Sequence, residues 1–279
     1  MSVCLMILLS FSCRWGEDWP PADWTQQQAP FAIEGSVYYV GGAELTAYLL
    51  VDEAGLILIN VGMAENVSLV FDNIRQLGFD PAKIHYLLIT QAHFDHAGGA
   101  QSIQAETQAE VVAGFGDTSL LLSGGKNDHV FGDRLLFAPV NRVRGVKNGD
   151  HIQCGQLTVE AVATPGHTPG STSWRYEDAK TGKTFFFQAS LSLLDDAEIH
   201  NNALYPQVAQ DFASTLEKLT RENADFYLPD HLQFAKPPDA LADAVPNPEW
   251  FRDRSLLTRQ IERCQKALDK KMTVIPGKD

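Results

Sequence analysis

Gln91-Ala92-His93-Phe94-Asp95-His96 packs four candidate metal donors into six residues, directly after the strand-like apolar run from Ile84 to Thr90. Imidazole nitrogens and a carboxylate are the donors that a borderline cation such as zinc prefers. Close spacing removes most of the entropy otherwise lost in gathering ligands. Gly98 and Gly99, just downstream, suit a turn whose backbone must pass close to such a site. A pair of neighbouring histidines alone would read as hydrogen-bonded core or surface residues. The full run is harder to place that way.

A catalytic zinc site uses three protein ligands and an open position, so further donors are expected downstream. Gly166-His167-Thr168-Pro169-Gly170-Ser171-Thr172 sets a histidine in a rigid, glycine-flanked loop after the strand-like Leu157 to Ala163. Leu228-Pro229-Asp230-His231 closes the apolar segment Phe226 to Leu228 with another histidine. All of these donor groups lie just past candidate strands, and side chains at strand ends can converge across one rim of a sheet.

These motifs and their flanks resemble the metallo-β-lactamase superfamily, especially its third subclass of zinc-dependent β-lactamases. The likeness runs from about Trp24 to the C-terminal helix. It includes Ala29-Pro30-Phe31, Tyr38-Tyr39-Val40-Gly41, Leu45-Thr46-Ala47-Tyr48-Leu49 and Ile57-Leu58-Ile59-Asn60-Val61-Gly62-Met63. The resemblance implies two zinc ions side by side, the first on Gln91, His93 and His167, the second on Asp95, His96 and His231. The family's usual residue at the first motif position is His; Gln91 matches a branch of the subclass that carries Gln there. A neutral amide oxygen is a weaker donor than imidazole, so the first zinc is expected to be held less tightly than the second, down to a one-metal enzyme. Asn60 stands where many members carry Asp, which removes a negative charge from the shell that orients the ligands. Iron or manganese also suit such donors, but the imidazole-rich set favours zinc.

The implied activity is hydrolysis of the β-lactam amide of penicillins, cephalosporins and carbapenems, a route to antibiotic resistance. Zinc-bound water ionises near neutral pH, and the resulting hydroxide attacks the strained carbonyl; Asp95 both binds the second zinc and orients the water. Glyoxalase-type thioesterases, many lactonases and phosphodiesterases on this fold carry an Asp that bridges the metals. The corresponding segment, Phe187-Gln188-Ala189-Ser190-Leu191-Ser192, holds no carboxylate. Ser190 and Ser192 become candidates for hydrogen bonding the substrate carboxylate, directly or through water, although serines after a strand also read as a plain polar turn. Trp24, Tyr38 and Phe131 are candidates to line an apolar pocket, with Trp24 kept as the substrate contact; aromatic residues are more often core. His85, His129, His151 and His200 fall outside the motifs and read as surface or hydrogen-bonded residues, His129 lying in the glycine-rich Ser123 to Asp133 stretch that forms a cleft loop in the family. Other readings stay open. One is another zinc hydrolase of the same fold, a lactonase or thioesterase, since fold and metal motif do not fix the substrate. The other is a non-enzymatic zinc protein, which would normally close its site with four strong ligands.

The 279 residues, 44% hydrophobic, suffice for a substantial core in one domain, assigned to residues 20–279. Strands are expected at Phe31 to Tyr39, Thr46 to Val51, Leu56 to Asn60, Glu110 to Gly114, Leu157 to Ala163, Ser173 to Tyr176, Thr184 to Gln188 and Asp225 to Leu228. Helices are expected near Glu65 to Leu77, Gly99 to Thr107, Thr118, Val208 to Asn223 and Pro248 to Lys271. Such alternation gives sheets covered by helices, an α/β protein. The resemblance sharpens it to a four-layer αββα sandwich of two similar halves with the metals at one edge between them.

A net charge of −13 without a basic stripe argues against nucleic-acid partners. Val3 to Phe11 is a short apolar run ending in Ser10-Phe11-Ser12-Cys13, similar to the end of a bacterial secretion signal, so residues 1–19 are assigned to an export leader. The run is too short for a stable membrane span and lacks a preceding cation, as a truncated or misassigned start would explain. Lipid attachment at Cys13 stays open, with bulky Phe11 a poor match to that signal. A monomeric, periplasmic enzyme acting on a small-molecule β-lactam is the expectation. Cys154 and Cys264 lie outside the metal motifs and are assigned to packing, with a disulfide between them left open.

Overall fold

Gly35 adopts φ 54°, and this left-handed turn folds the expected strand Phe31 to Tyr39 into a hairpin of β1 (Phe31–Glu34) and β2 (Val37–Tyr39). The computed structural model describes residues 20–237, 240 and 245–273; the expected leader and Cys13 lie outside these. β3 (Tyr48–Asp52), β4 (Gly55–Ile59), β5 (Ile84–Leu88), β6 (Glu110–Gly114) and β7 (Val143–Val146) complete a seven-stranded sheet in chain order. It is antiparallel from β1 to β4 and parallel from β4 to β7. β8 (His151–Cys154), β9 (Leu157–Ala163), β10 (Thr172–Glu177), β11 (Thr184–Gln188) and β12 (Phe226–Pro229) form a five-stranded sheet in the order β12-β11-β10-β9-β8, with only β11 and β12 parallel.

The two sheets meet over a core that includes Tyr39, Tyr48, Ile57, Ile59 and Leu88 from the first and Val159, Trp174, Phe185, Phe187 and Leu228 from the second. Each such side chain contributes about 2 kcal/mol of burial relative to water. The outer face of the first sheet is covered by α1 (Asn66–Gln76), by α3 (Ala100–Thr107), which is reached through the single turn α2 (Phe94–Ala97), and by the short α4 (Thr118–Ser123). Val67, Val70, Phe71 and Ile74 of α1 recur at the spacing of one helix face and are buried there. α5 (Val208–Leu219) and α6 (Ser255–Thr273) cover the second sheet through Phe212, Leu216, Leu256, Cys264 and Leu268. The layers are therefore αββα, as expected. A strand such as β4, Gly55-Leu56-Ile57-Leu58-Ile59, is buried throughout because helices lie on one side of it and the other sheet on the other.

Three expectations are corrected. β7 and β8 were not anticipated: each has four residues, and β7 carries exposed Arg144 and Gly145 with no alternation to mark it. The C-terminal helix begins at Ser255, not Pro248, because Pro248–Phe251 forms a separate 3₁₀ turn capped by Asn247, and Asp253 accepts a 2.8 Å hydrogen bond from the Ser255 amide. The helix after β11 stops at Leu219 rather than Asn223. Cys154 and Cys264 are both free and buried, one in the core between the sheets and the other on the inner face of α6, so the disulfide left open is absent and packing is their role. No helix among the described residues is long and apolar enough to cross a membrane.

Candidate metal centre

The loops after β5, β9 and β12 meet at the carboxyl ends of these strands. Gln91, His93, Asp95, His96, His167 and His231 are all buried there. One oxygen of Asp95 and one nitrogen each of His96 and His231 lie within 4.8 Å of one another. The Asp95 carboxylate is 3.3 Å from His96 Nε2 and 3.5 Å from His231 Nε2. Beside this group, His93 Nδ1 and His167 Nε2 face each other across 3.1 Å. Thus the structure brings together two of the histidines expected on the first metal, and all three residues expected on the second. Gln91 differs: its side-chain oxygen accepts a 3.2 Å hydrogen bond from the His93 amide.

Partners on the outside fix which nitrogen each ring turns inward. Asp128 Oδ2 can only accept, so His93 Nε2 carries the proton in their 3.0 Å contact. The Ser192 carbonyl accepts from His167 Nδ1 at 2.6 Å, and Glu44 Oε1 accepts from His231 Nδ1 at 3.1 Å. His93 Nδ1, His167 Nε2 and His231 Nε2 are left facing the centre. Outer carboxylates and carbonyls of this kind orient metal-binding imidazoles. His96 is fully buried, and neither of its ring nitrogens has a hydrogen-bond partner among the described residues. An orphaned imidazole beside a carboxylate, and two inward nitrogens 3.1 Å apart, fit a divalent cation of the zinc type.

Burial opposes charge on Asp95, yet His96 and His231 hold its carboxyl well below the usual carboxylate range. Burial likewise pulls His231 down, but its bonds to Asp95 and Glu44 lift it to about 10. His167 goes the other way, pushed down to about 3 by burial and the neighbouring charge on His93. His231 thus carries a proton at neutral pH that a cation at its Nε2 would displace, whereas His167 is already neutral and free to bind one.

Three supporting carboxylates escaped the sequence reading. Glu44 and Asp128 orient His231 and His93 as described, and Asp128 is itself fixed through Oδ1 by the amides of Val130 and Phe131 at 2.8 and 2.7 Å. Asp117 ties two loops together: it accepts from the Ala92 amide, the Thr168 hydroxyl and the Gly170 amide at 2.9, 2.7 and 2.7 Å. Asp128 sits in the glycine-rich stretch already singled out for His129, the one sequence signal that pointed near it. His129 itself packs against Tyr205 with ring centroids 5.1 Å apart.

Of the aromatic candidates, Trp24 lies against His231 and Phe131 against His93, with centroids 5.6 and 4.9 Å apart. Tyr38 is elsewhere, packed edge-on against Phe79 on the outer side of the first sheet. Ser190 Oγ accepts from the Ser192 amide at 3.2 Å, and Ser192 reaches His167 through its carbonyl. Asn60 directs its side-chain hydrogen bonds to Thr90; at φ 58° it accepts from the Thr90 amide at 3.0 Å and so anchors the start of the Gln91–His96 loop. Gly98 and Gly99 have ordinary helical φ. Their need for glycine is steric: a Cβ would lie 2.3 Å from the Phe94 carbonyl at Gly98 and 2.5 Å from Val67 at Gly99.

Residues 41–182 match the family model for the metallo-β-lactamase superfamily. The chain shares the fold of the metallo-β-lactamase GOB-18 from Elizabethkingia meningoseptica, with TM-score 0.81, 32% identity, and coverage of 90% of this chain and 95% of that one. It is equally similar in fold to the class B3 di-zinc metallo-β-lactamase LRA-12 from an Alaskan soil metagenome, at TM-score 0.81 and 29% identity over 91% and 98% of the two chains. Among curated proteins, a probable metallo-hydrolase, YqgX, of Bacillus subtilis is 27% identical over 50% of this chain and 64% of its own length. A hydroxyacylglutathione hydrolase of Rhodospirillum rubrum is 28% identical over 37% of this chain and 34% of its own. The matched stretch carries Gln91 to His96 and His167, and the shared fold reaches His231 in the second sheet: the chain belongs to the metallo-β-lactamase superfamily.

Proposed function

We propose that this protein is a zinc-dependent β-lactamase of the class B3 type, in the branch with Gln at the first ligand position, hydrolysing the amide of penicillins, cephalosporins and carbapenems. The observation that carries the reading is the joint one at the centre: inward-facing His93, His167, Asp95, His96 and His231, with serine and no carboxylate at Ser190. Similarity to LRA-12 and GOB-18 over at least 90% of this chain supports it. His93 and His167 would hold a first zinc, assisted weakly by the Gln91 amide, and Asp95, His96 and His231 a second. When bound, zinc supplies Lewis acidity and makes water nucleophilic near neutral pH.

The chain's own side chains do the rest. Asp95, between His96 and His231, orients the attacking water and accepts its proton. Trp24 and Phe131 give the centre apolar flanks against which a fused-ring substrate packs. Ser190 and Ser192 bind the substrate carboxylate from the end of β11, where no bridging Asp competes for the metals. The role carries with it export to the periplasm, checked by cell fractionation, and resistance in the host.

The similarity to a hydroxyacylglutathione hydrolase favours a second reading, a thioesterase on the same scaffold. A hydrolysis panel separates the two: penicillin, cephalosporin, carbapenem, lactone and thioester substrates with zinc-loaded protein, with and without chelator. Chelator-sensitive turnover of β-lactams is expected. Thioester or lactone turnover without β-lactam turnover would replace the reading with its rival.

A further inference from the structure

Asp230, one residue before His231, is 1% exposed, and neither of its carboxylate oxygens has a hydrogen-bond partner among the described residues. Its backbone is pinned. The Thr46 amide donates to the Asp230 carbonyl at 3.3 Å, the Leu232 amide donates to Glu44 at 2.8 Å, and Leu45 pairs with His231. The neighbouring hydroxyls are committed elsewhere, since Thr46 Oγ1 and the Tyr48 hydroxyl both donate to the Pro229 carbonyl, at 2.8 and 2.6 Å. Among the described residues the one basic nitrogen within 4.0 Å is His96 Nε2, at 3.8 Å, on the ring whose two nitrogens are themselves unpartnered. Burying a carboxylate with no donor is strongly unfavourable, and the protonated His231 beside it is already engaged by Glu44 and Asp95, so this carboxylate is left for a further cation.

The donor inventory gives the same answer. Gln91, His93 and His167 bring no negative charge to the first position, and Ser190 offers none where a bridging carboxylate would stand. Among the direct ligands Asp95 alone would leave a divalent cation half neutralised in a buried site of low dielectric, since Glu44 acts only through His231. Resting on the metal-centre reading above, we infer that Asp230 is a second anionic group for the cation held by Asp95, His96 and His231. It is a positioning residue that acts beside His96, and it biases zinc towards that position over the one at Gln91.

The test is zinc and cobalt(II) binding to the full-length protein and to its D230N and D230E variants, measured by competition with a chromophoric chelator and by the cobalt ligand-field spectrum, alongside thermal melts in chelator. D230N is expected to weaken the tight site about tenfold or more and to shift the cobalt spectrum, with D230E recovering part of the affinity. In chelator, D230N should melt at or above the wild-type temperature, because it removes a buried carboxyl group that no donor among the described residues compensates. Unchanged zinc affinity with an unchanged spectrum would overturn the inference. So would a D230N chain that fails to fold in chelator, since either outcome makes Asp230 a structural residue. Zinc binding that depends on Asp230 in a protein that turns over no β-lactam would sink the substrate assignment and leave this one standing.

Discussion

Asp95 and Asp128 divide the chemistry at the level of single side chains. Asp95 faces the centre and touches the reacting water in the proposed reaction, so D95A should lower kcat/KM on a cephalosporin about 100-fold or more while barely moving the melting temperature in chelator. A variant with full turnover removes Asp95 from catalysis. Asp128 works from outside, receiving the His93 Nε2 proton at 3.0 Å. An amide there cannot accept as well and D128N should weaken zinc at the first position about 10- to 100-fold, leaving the second intact. Stepwise metal titration with content analysis reads this directly, and equal loss at both positions would contradict it. The candidate donors from Gln91 to His96 stood out in the sequence because His, Asp and Gln crowd one short segment. The supports were not: Glu44 and His231 are 187 residues apart, and no spacing rule links them.

At the scale of elements, the turn after β1 is clamped to the end of β10. Asp178 accepts from the Ser36 amide and hydroxyl at 2.9 and 2.7 Å, and also from the amides of Lys180 and Thr181, tying the two sheets at the rim. Burial pushes this carboxyl up, but the Ser36 bonds and then the backbone amides outweigh it and hold it at about 2, below the ordinary 3.8. A value depressed in the folded state means that the stabilisation is complete above the ordinary value and is lost as pH falls through about 2. Urea melts in chelator should therefore show D178N less stable by at most about 2 kcal/mol at neutral pH, with the difference from wild type closing in acid. A gap that stays constant down to the acid limit would rule the clamp out. Most elements followed from local pattern, as in α1, whose apolar residues recur at helical spacing, and β9, which alternates. The edge strands β7 and β8 did not, because four residues carry too little periodicity and their pairing is set by neighbours.

Across the whole molecule, the candidate centre joins the two sheets. His93, Asp95 and His96 follow β5 of the first, while His167 and His231 follow β9 and β12 of the second. A cation bound by both halves stabilises only the folded chain, so removing zinc should lower the melting temperature by about 5 °C or more, restored on readdition. Insensitivity to chelator would detach the centre from the fold. The sequence by itself determined an α/β alternation with candidate donors placed just past strands, since these are written in local apolar periodicity and in a compact motif, and its resemblance to a known family sharpened that to four layers. Only the tertiary structure decided which nitrogens of His93, His167 and His231 turn inward, that Gln91 Oε1 accepts from the His93 amide, that Tyr38 packs on the outer side of the first sheet, and that Glu44, Asp117, Asp128 and Asp230 surround the site. The physical reason is that a hydrogen bond acts over about 3 Å of space, and chain distance leaves no trace of it.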